Sequence, residues 1–146
     1  MTAVDNTDIV LYRYLRALSV KVSRSTVLHL LDTSEDNDMQ SISDALNVLN
    51  IKNEVCQLPP SPDYFFQLST PFITILQMDR SPCCVVTKKD DFIVEFSDAK
   101  GKKYYVKTHC FLKRWTGTVL FGETTGRTPS ESFYRWKNIS FRFLNH

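Results

Sequence analysis

Apolar positions recur along this chain in two rhythms, and the change between them falls near residue 50. Residues 6–19, NTDIVLYRYLRALS, follow helical spacing: Ile9, Leu11, Tyr12, Leu15 and Leu18 form a broad apolar surface, and only Arg13 and Arg16 ask for water. Thr7 or Asn6 can cap this helix, and Asp8 suits its first turn. VSRSTVLHLLD restarts after a break, with Ser23 or Ser25 as cap, Val27, Leu28 and Leu31 inward and His29 off the stripe, on the surface. TSEDNDM reads as a polar loop. Ser41 and Asp44 then resemble a capping box ahead of Ile42, Ala45, Leu46 and Leu49, with Asn50 as C-cap.

From there the period shortens. IKNEVCQL is a strand candidate stopped by Pro59 and Pro60, and SPDYFFQL is a short helix with Ser61 as cap and Pro62 at its first position. PFITILQM, CCVVT, FIVEF, KYYVK and GTVLFGE read as strands, with turns at Lys88–Asp91 and Ser97–Gly101. Thr108 can cap a short helix through HCFLKRW. Helices first and an antiparallel meander second predict an α+β domain rather than a doubly wound sheet.

Composition narrows the classes. The chain has 146 residues, 42% hydrophobic and 12% aromatic, enough for one domain with its own core. A net charge of +2, with basic runs interleaved with acids, gives no footprint for nucleic acid. The four cysteines, Cys56, Cys83, Cys84 and Cys110, form no Cys-x-x-Cys pair, so neither a metal site nor a cofactor is expected. Cys83 and Cys84 point to opposite faces of a strand; four reduced thiols, at least two of them buried, suit a cytoplasmic setting. MTAVDNTD is acidic and has no apolar run of the kind a secretory signal needs, and no window reaches the length of a membrane span. The domain is expected over residues 1–125. Residues 126–146 begin as a linker and then mix Phe133, Tyr134, Trp136, Phe141 and Phe143 with Arg135, Lys137 and Arg142. That tail reads as a segment nearing a membrane interface, as a final packed helix, or as a frayed end.

The order helical half, strand, Pro-bounded helix, β half is that of papain-like folds. Pro71, Cys83-Cys84-Val85-Val86, Asp98-Ala99-Lys100-Gly101 and Phe111-Leu112-Lys113-Arg114-Trp115-Thr116-Gly117 carry a closer likeness. Together they resemble the bacteriocin-processing cysteine peptidase family, the papain-like domains at the N-terminus of peptidase-containing ABC exporters. The resemblance spans residues 6 to about 124, and its Pro-led strand and Trp-x-Gly ending are the more specific parts. The segment around Ser41-Ile42-Ser43-Asp44-Ala45-Leu46 is also similar to domains fused ahead of bacterial vitamin K epoxide reductase-like membrane proteins, without their His-Pro pair.

The resemblance implies a nucleophilic cysteine at the start of the first helix, where the dipole and an imidazolium would stabilise its thiolate. Here that place falls on Asn6 or a neighbour, with Thr7 and Asp8 beside it. The family's histidine position falls on Cys83, or on Pro82 one residue earlier, and neither can act as a base as imidazole does. No glutamine precedes the helix in Met1–Asp5 to supply the family's oxyanion donor. His29, His109 and His146 lie elsewhere. Asp98 alone matches the third catalytic position, and an aspartate in a turn has a local use of its own. The expectation is a catalytically inactive cysteine peptidase-like domain that holds an extended peptide, with Asn6, Cys83 and Asp98 as candidate contacts and no catalytic residues. It would be the head of a membrane protein whose membrane domain follows it, on the cytoplasmic face of a bacterial inner membrane. Three other readings stand beside this one: an active processing peptidase, a thiol enzyme using Cys83, Cys84 or Cys110 next to His109, and a packing module that binds no cargo.

Overall fold

The computed structural model describes residues 7–32, 38–77 and 83–122. Asn6, Pro82, His146 and the tail at 126–146 lie outside them. The described residues form α1 (Thr7–Ala17), α2 (Arg24–Asp32), α3 (Asp38–Val48), β1 (Asn53–Gln57), α4 (Pro62–Gln67), β2 (Phe72–Leu76), β3 (Cys83–Lys89), β4 (Ile93–Ser97), β5 (Lys103–Lys107), α5 (Thr108–Leu112) and β6 (Trp115–Gly122). The fold is α+β with a papain-like plan, three helices followed by an antiparallel sheet.

Local chemistry sets most element ends. Ser61 accepts from the Asp63 amide ahead of α4, with Pro62 at the first helical position. Ser23 does the same for the Thr26 amide at the start of α2. Helices α1 and α3 end alike: Ser19 and Asn50 take positive φ (64° and 61°), and the next amides reach back, Val20 to the Leu15 carbonyl at 2.8 Å and Ile51 to the Leu46 carbonyl at 2.9 Å.

The strands run in the order β1-β6-β2-β3-β4-β5, every pairing antiparallel. A plain meander was expected. Instead β2 to β5 meander, and β6 returns to lie between β1 and β2. Among the described strands β1 pairs only with β6, and the apolar run of β6 suits an interior strand buried on both faces, with Leu120 in one core and Val119 and Phe121 in the other.

The sheet divides two cores, and strand alternation sorts residues between them. Ile73, Cys83, Val85 and Leu120 face α1, α2 and α3, packing with Leu11, Tyr14, Leu15, Val27, Ile42 and Leu46. Phe72, Cys84, Val86 and Val119 face the other way, toward Phe65 of α4, Phe111 of α5 and Trp115. Four expectations for the helices are corrected here. The buried stripe of α1 is Val10, Leu11, Tyr14 and Leu15. Tyr14 goes inside because its hydroxyl accepts the Gly122 amide at 2.6 Å; burial pushes its ionisation far above the ordinary tyrosine value. Tyr12 stays at the rim, flanked by the guanidinium groups of Arg16 and Arg24. Leu28 is exposed, because α2 turns only Val27 fully into the core. Helix α3 begins at Asp38, so Ser41 is inside it and Asp44 accepts from Gln40 one turn back instead of closing a capping box. Thr108 likewise caps nothing: Lys107 holds the cap position of α5, and the Thr108 hydroxyl donates to the Asp90 carbonyl at 2.9 Å.

Candidate functional site

Of the residues singled out by sequence, Cys83 at the start of β3 and Asp98 in the β4–β5 turn lie on the side of the sheet where α1 packs, and Asn6 falls outside the described residues. That turn is built from Asp98. One carboxylate oxygen accepts the amides of Lys100 and Lys102, both at 2.9 Å, and the Gly101 amide donates to the Asp98 carbonyl at 2.9 Å. Gly101 has φ +85°, which few residues other than glycine adopt. The turn docks on α1: the Arg13 guanidinium donates to the Gly101 carbonyl at 3.3 Å, and a side chain at Gly101 would meet Ile9 Cγ2 at 3.3 Å. Asp98 also engages the Tyr104 hydroxyl, which, after burial, is a cause of that phenol's raised ionisation. The Asp-x-x-Gly motif thus closes its own turn and fastens the first helix to the sheet.

Cys83 lies on the helical face of β3, 2% exposed, opposite Ile75, with its thiol 3.9 Å from the sulfur of Met39 on α3. Cys84 points into the second core, where burial first, then the nearby Cys83 and Asp98, push its thiol well above the ordinary value. Cys56 is buried as well, and Cys110 on α5 is exposed. His29 on α2 and His109 on α5 are both on the surface. His109 and Cys110 are consecutive on a helix, so their side chains diverge by about 100°. Among the described residues no group of three or more His, Cys, Asp or Glu could hold a metal ion, and no helix is long and apolar enough to cross a membrane. An open pocket of about 700 Å³ lies between α1 and α2, lined by Tyr12, Arg16, Ser19 and Lys21, and includes none of the candidate residues.

Substitution of Asp98 separates its roles. Asp98→Ala removes the acceptor of two turn amides and should cost about 1–2 kcal/mol. Asp98→Asn keeps a carbonyl acceptor and should recover most of that loss. Urea unfolding of both variants checks this; equal loss in both would mean that the charge, not the turn bonds, matters.

Sequence reasoning missed Met39, Arg13 and Tyr104, the neighbours of Cys83, Gly101 and Asp98. Only the Arg13 contact left a trace, as one of two polar breaks in the apolar surface of α1.

A three-helix layer packed on an antiparallel sheet is the plan of the papain-like C39 peptidase domains. Solved structures of this kind match the chain. The peptidase domain of Streptococcus ComA, a bi-functional ABC transporter involved in a quorum sensing pathway, is 17% identical with a TM-score of 0.68, over 86% of this chain and 95% of that one. A double glycine motif protease from an AMS/PCAT transporter, in complex with the leader peptide, is 16% identical with a TM-score of 0.70, over 86% and 88%. The N-terminal peptidase C39 like domain of the toxin secretion ATP-binding protein from Vibrio parahaemolyticus is 14% identical with a TM-score of 0.60, over 86% and 98%. No protein-family model matches the sequence, and no curated protein matches it. At these identities the likeness establishes the fold.

Proposed function

We propose that this chain is a catalytically inactive cysteine peptidase-like domain that captures an extended polypeptide across the outer rim of the junction formed by the start of α1, the start of β3 and the β4–β5 turn. The observation that carries the reading is Cys83. At the position where the family resemblance implies a histidine stands a thiol packed under Met39, on the face that looks toward α1. A thiol in place of imidazole is not the general base that a cysteine nucleophile needs. Asp98 is committed to its own turn and to Tyr104, with no imidazole at Cys83 to orient. A fold neighbour holds a leader peptide, which supports peptide capture as the function that outlives the chemistry. Asn6, Cys83 and Asp98 mark the cleft in this reading, with Cys83, buried under Met39, in its floor. The domain spans residues 1–125, and the aromatic and basic segment at 126–146 leads to a membrane domain, a transporter or a vitamin K epoxide reductase-like oxidoreductase. The cytoplasmic face of a bacterial inner membrane is the matching location.

The test is a titration of isotope-labelled protein with a synthetic leader peptide whose Gly-Gly is followed by several further residues, monitored by amide shifts and by mass spectrometry of the peptide. Saturable shifts in the first turn of α1, at Cys83–Val85 and at Asp98–Gly101, with the peptide intact, are expected. Hydrolysis of the peptide would restore the active-peptidase reading. An unmoved spectrum at saturating peptide would leave only a packing role.

A further inference from the structure

β5 ends the sheet, and its exposed side carries an arrangement that core packing does not use. Its five residues alternate, with Lys103, Tyr105 and Lys107 exposed and Tyr104 and Val106 half-buried. Register places Lys103, Tyr105 and Lys107 beside Ser97, Glu95 and Ile93 of β4 on one face. That face continues the one α1, α2 and α3 cover further in, but here the apolar groups stay open: Tyr105 is 65% exposed, Ile93 42% and neighbouring Phe92 78%. Glu95 is held at its centre by the Thr87 hydroxyl and the Tyr105 hydroxyl, with Lys103 and Lys88 close enough to favour its charge.

Lysines on an edge strand often only guard it against stray pairing. A guard has no need of an exposed tyrosine flanked by an isoleucine and a phenylalanine. A second copy of the chain fits poorly, because antiparallel self-pairing centred on Tyr105 sets Lys103 of each copy against Lys107 of the other, and like charges directly opposite repel. The complementary occupant is a strand with acids at both ends and an apolar residue between.

We propose that the outer edge of β5 takes an extended acidic peptide as an additional antiparallel strand. Its alternate side chains run acid, apolar, acid: one acid opposite Lys107, an aromatic or aliphatic group against Tyr105 and Ile93, and a second acid opposite Lys103. Main-chain bonds to the edge supply affinity, and the two lysines fix register. This surface is separate from the α1 cleft, and the two assignments stand or fall independently.

The probe is a fluorescein-labelled peptide, Thr-Glu-Thr-Phe-Thr-Glu-Thr, compared by anisotropy with its counterpart carrying Lys for both Glu and with versions N-methylated at alternate amides. The acidic probe is expected to bind at least about tenfold more tightly than the lysine probe. N-methylation of the edge-facing amides should abolish binding, while methylation of the others leaves it. The double variant Lys103→Glu/Lys107→Glu changes only exposed side chains and should reverse the preference, while shifts from the Gly-Gly leader peptide at Cys83 and Asp98 persist. Equal binding of the acidic and lysine probes, indifference to N-methylation, or an unreversed preference in the double variant would each overturn the assignment. Concentration-dependent self-association abolished by Tyr105→Ala would overturn it too, by giving the edge to a second copy.

Discussion

Gly117→Ala is expected to destabilise the domain by about 3–5 kcal/mol, among the largest losses any single methyl group could cause here. Gly117 has φ +86°, and a Cβ there would stand well inside contact distance of the Leu58 carbonyl oxygen and 3.0 Å from its carbon. The obstacle is backbone, so no rotamer change relieves it. The Leu58 amide donates to the Gly117 carbonyl at 2.9 Å, and the Gln57 side-chain amide reaches the Thr116 carbonyl at 3.0 Å. Pushing the two segments apart therefore strips bonds where β1 is stitched to β6. The left-handed φ adds about 1–2 kcal/mol for any residue with a Cβ. Chemical denaturation checks the result, and a midpoint within error of the parent protein would show that the β1–β6 junction can shift without penalty. Amide exchange should localise the damage, with β1 and β6 losing protection before β4 and β5.

Phe65→Ala is the second large effect, about 3–5 kcal/mol. Phe65 is fully buried and lies edge-on to Phe72 (centroids 6.1 Å apart) and Trp115 (5.3 Å), with Phe111 at 5.4 Å. It carries α4 into the core that the helical lobe never touches. Truncation leaves a cavity lined by rigid rings that cannot collapse around it, which puts the cost toward the top of the range for such changes. Phe65→Leu, which fills most of the space, should recover at least half of the loss. Thermal or urea unfolding with the parent's m-value reports both. A loss below about 1 kcal/mol for the alanine variant would mean that α4 is a dispensable cover.

The parts of this architecture that were legible in the sequence are those fixed by local chemistry. Ser61 and Pro62 announced α4, Asn50 announced the end of α3, and the neighbouring thiols Cys83 and Cys84 do point into different cores, because a strand's alternation follows from its backbone alone. The Trp-x-Gly motif was legible only through the family likeness, because its physical basis is distant: the Trp115 indole donates to the buried Thr74 hydroxyl at 2.8 Å, and Gly117 clears the Leu58 carbonyl. What escaped depends on distant partners. Tyr14 rather than Tyr12 enters the core because Gly122, 108 residues away, offers an amide to its hydroxyl. The place of β6 is set by β1 and β2, whose needs no window around residue 118 reveals. At the candidate site the turn chemistry of Asp98 was readable, since its partners sit two and four residues on. The cover over Cys83 was not, because Met39 lies 44 residues earlier in a segment that reads as loop.

The late return of β6 governs the order of assembly. β2 to β5 can zip up hairpin by hairpin as they emerge from the ribosome, but β1 must wait until Leu120 is available to align with Val55. Until then both β1 and β2 present unsatisfied backbone, and the floor beneath the helices is missing the plank that joins β1 to the rest. A nascent chain stalled before residue 115 is therefore the species most in need of a chaperone.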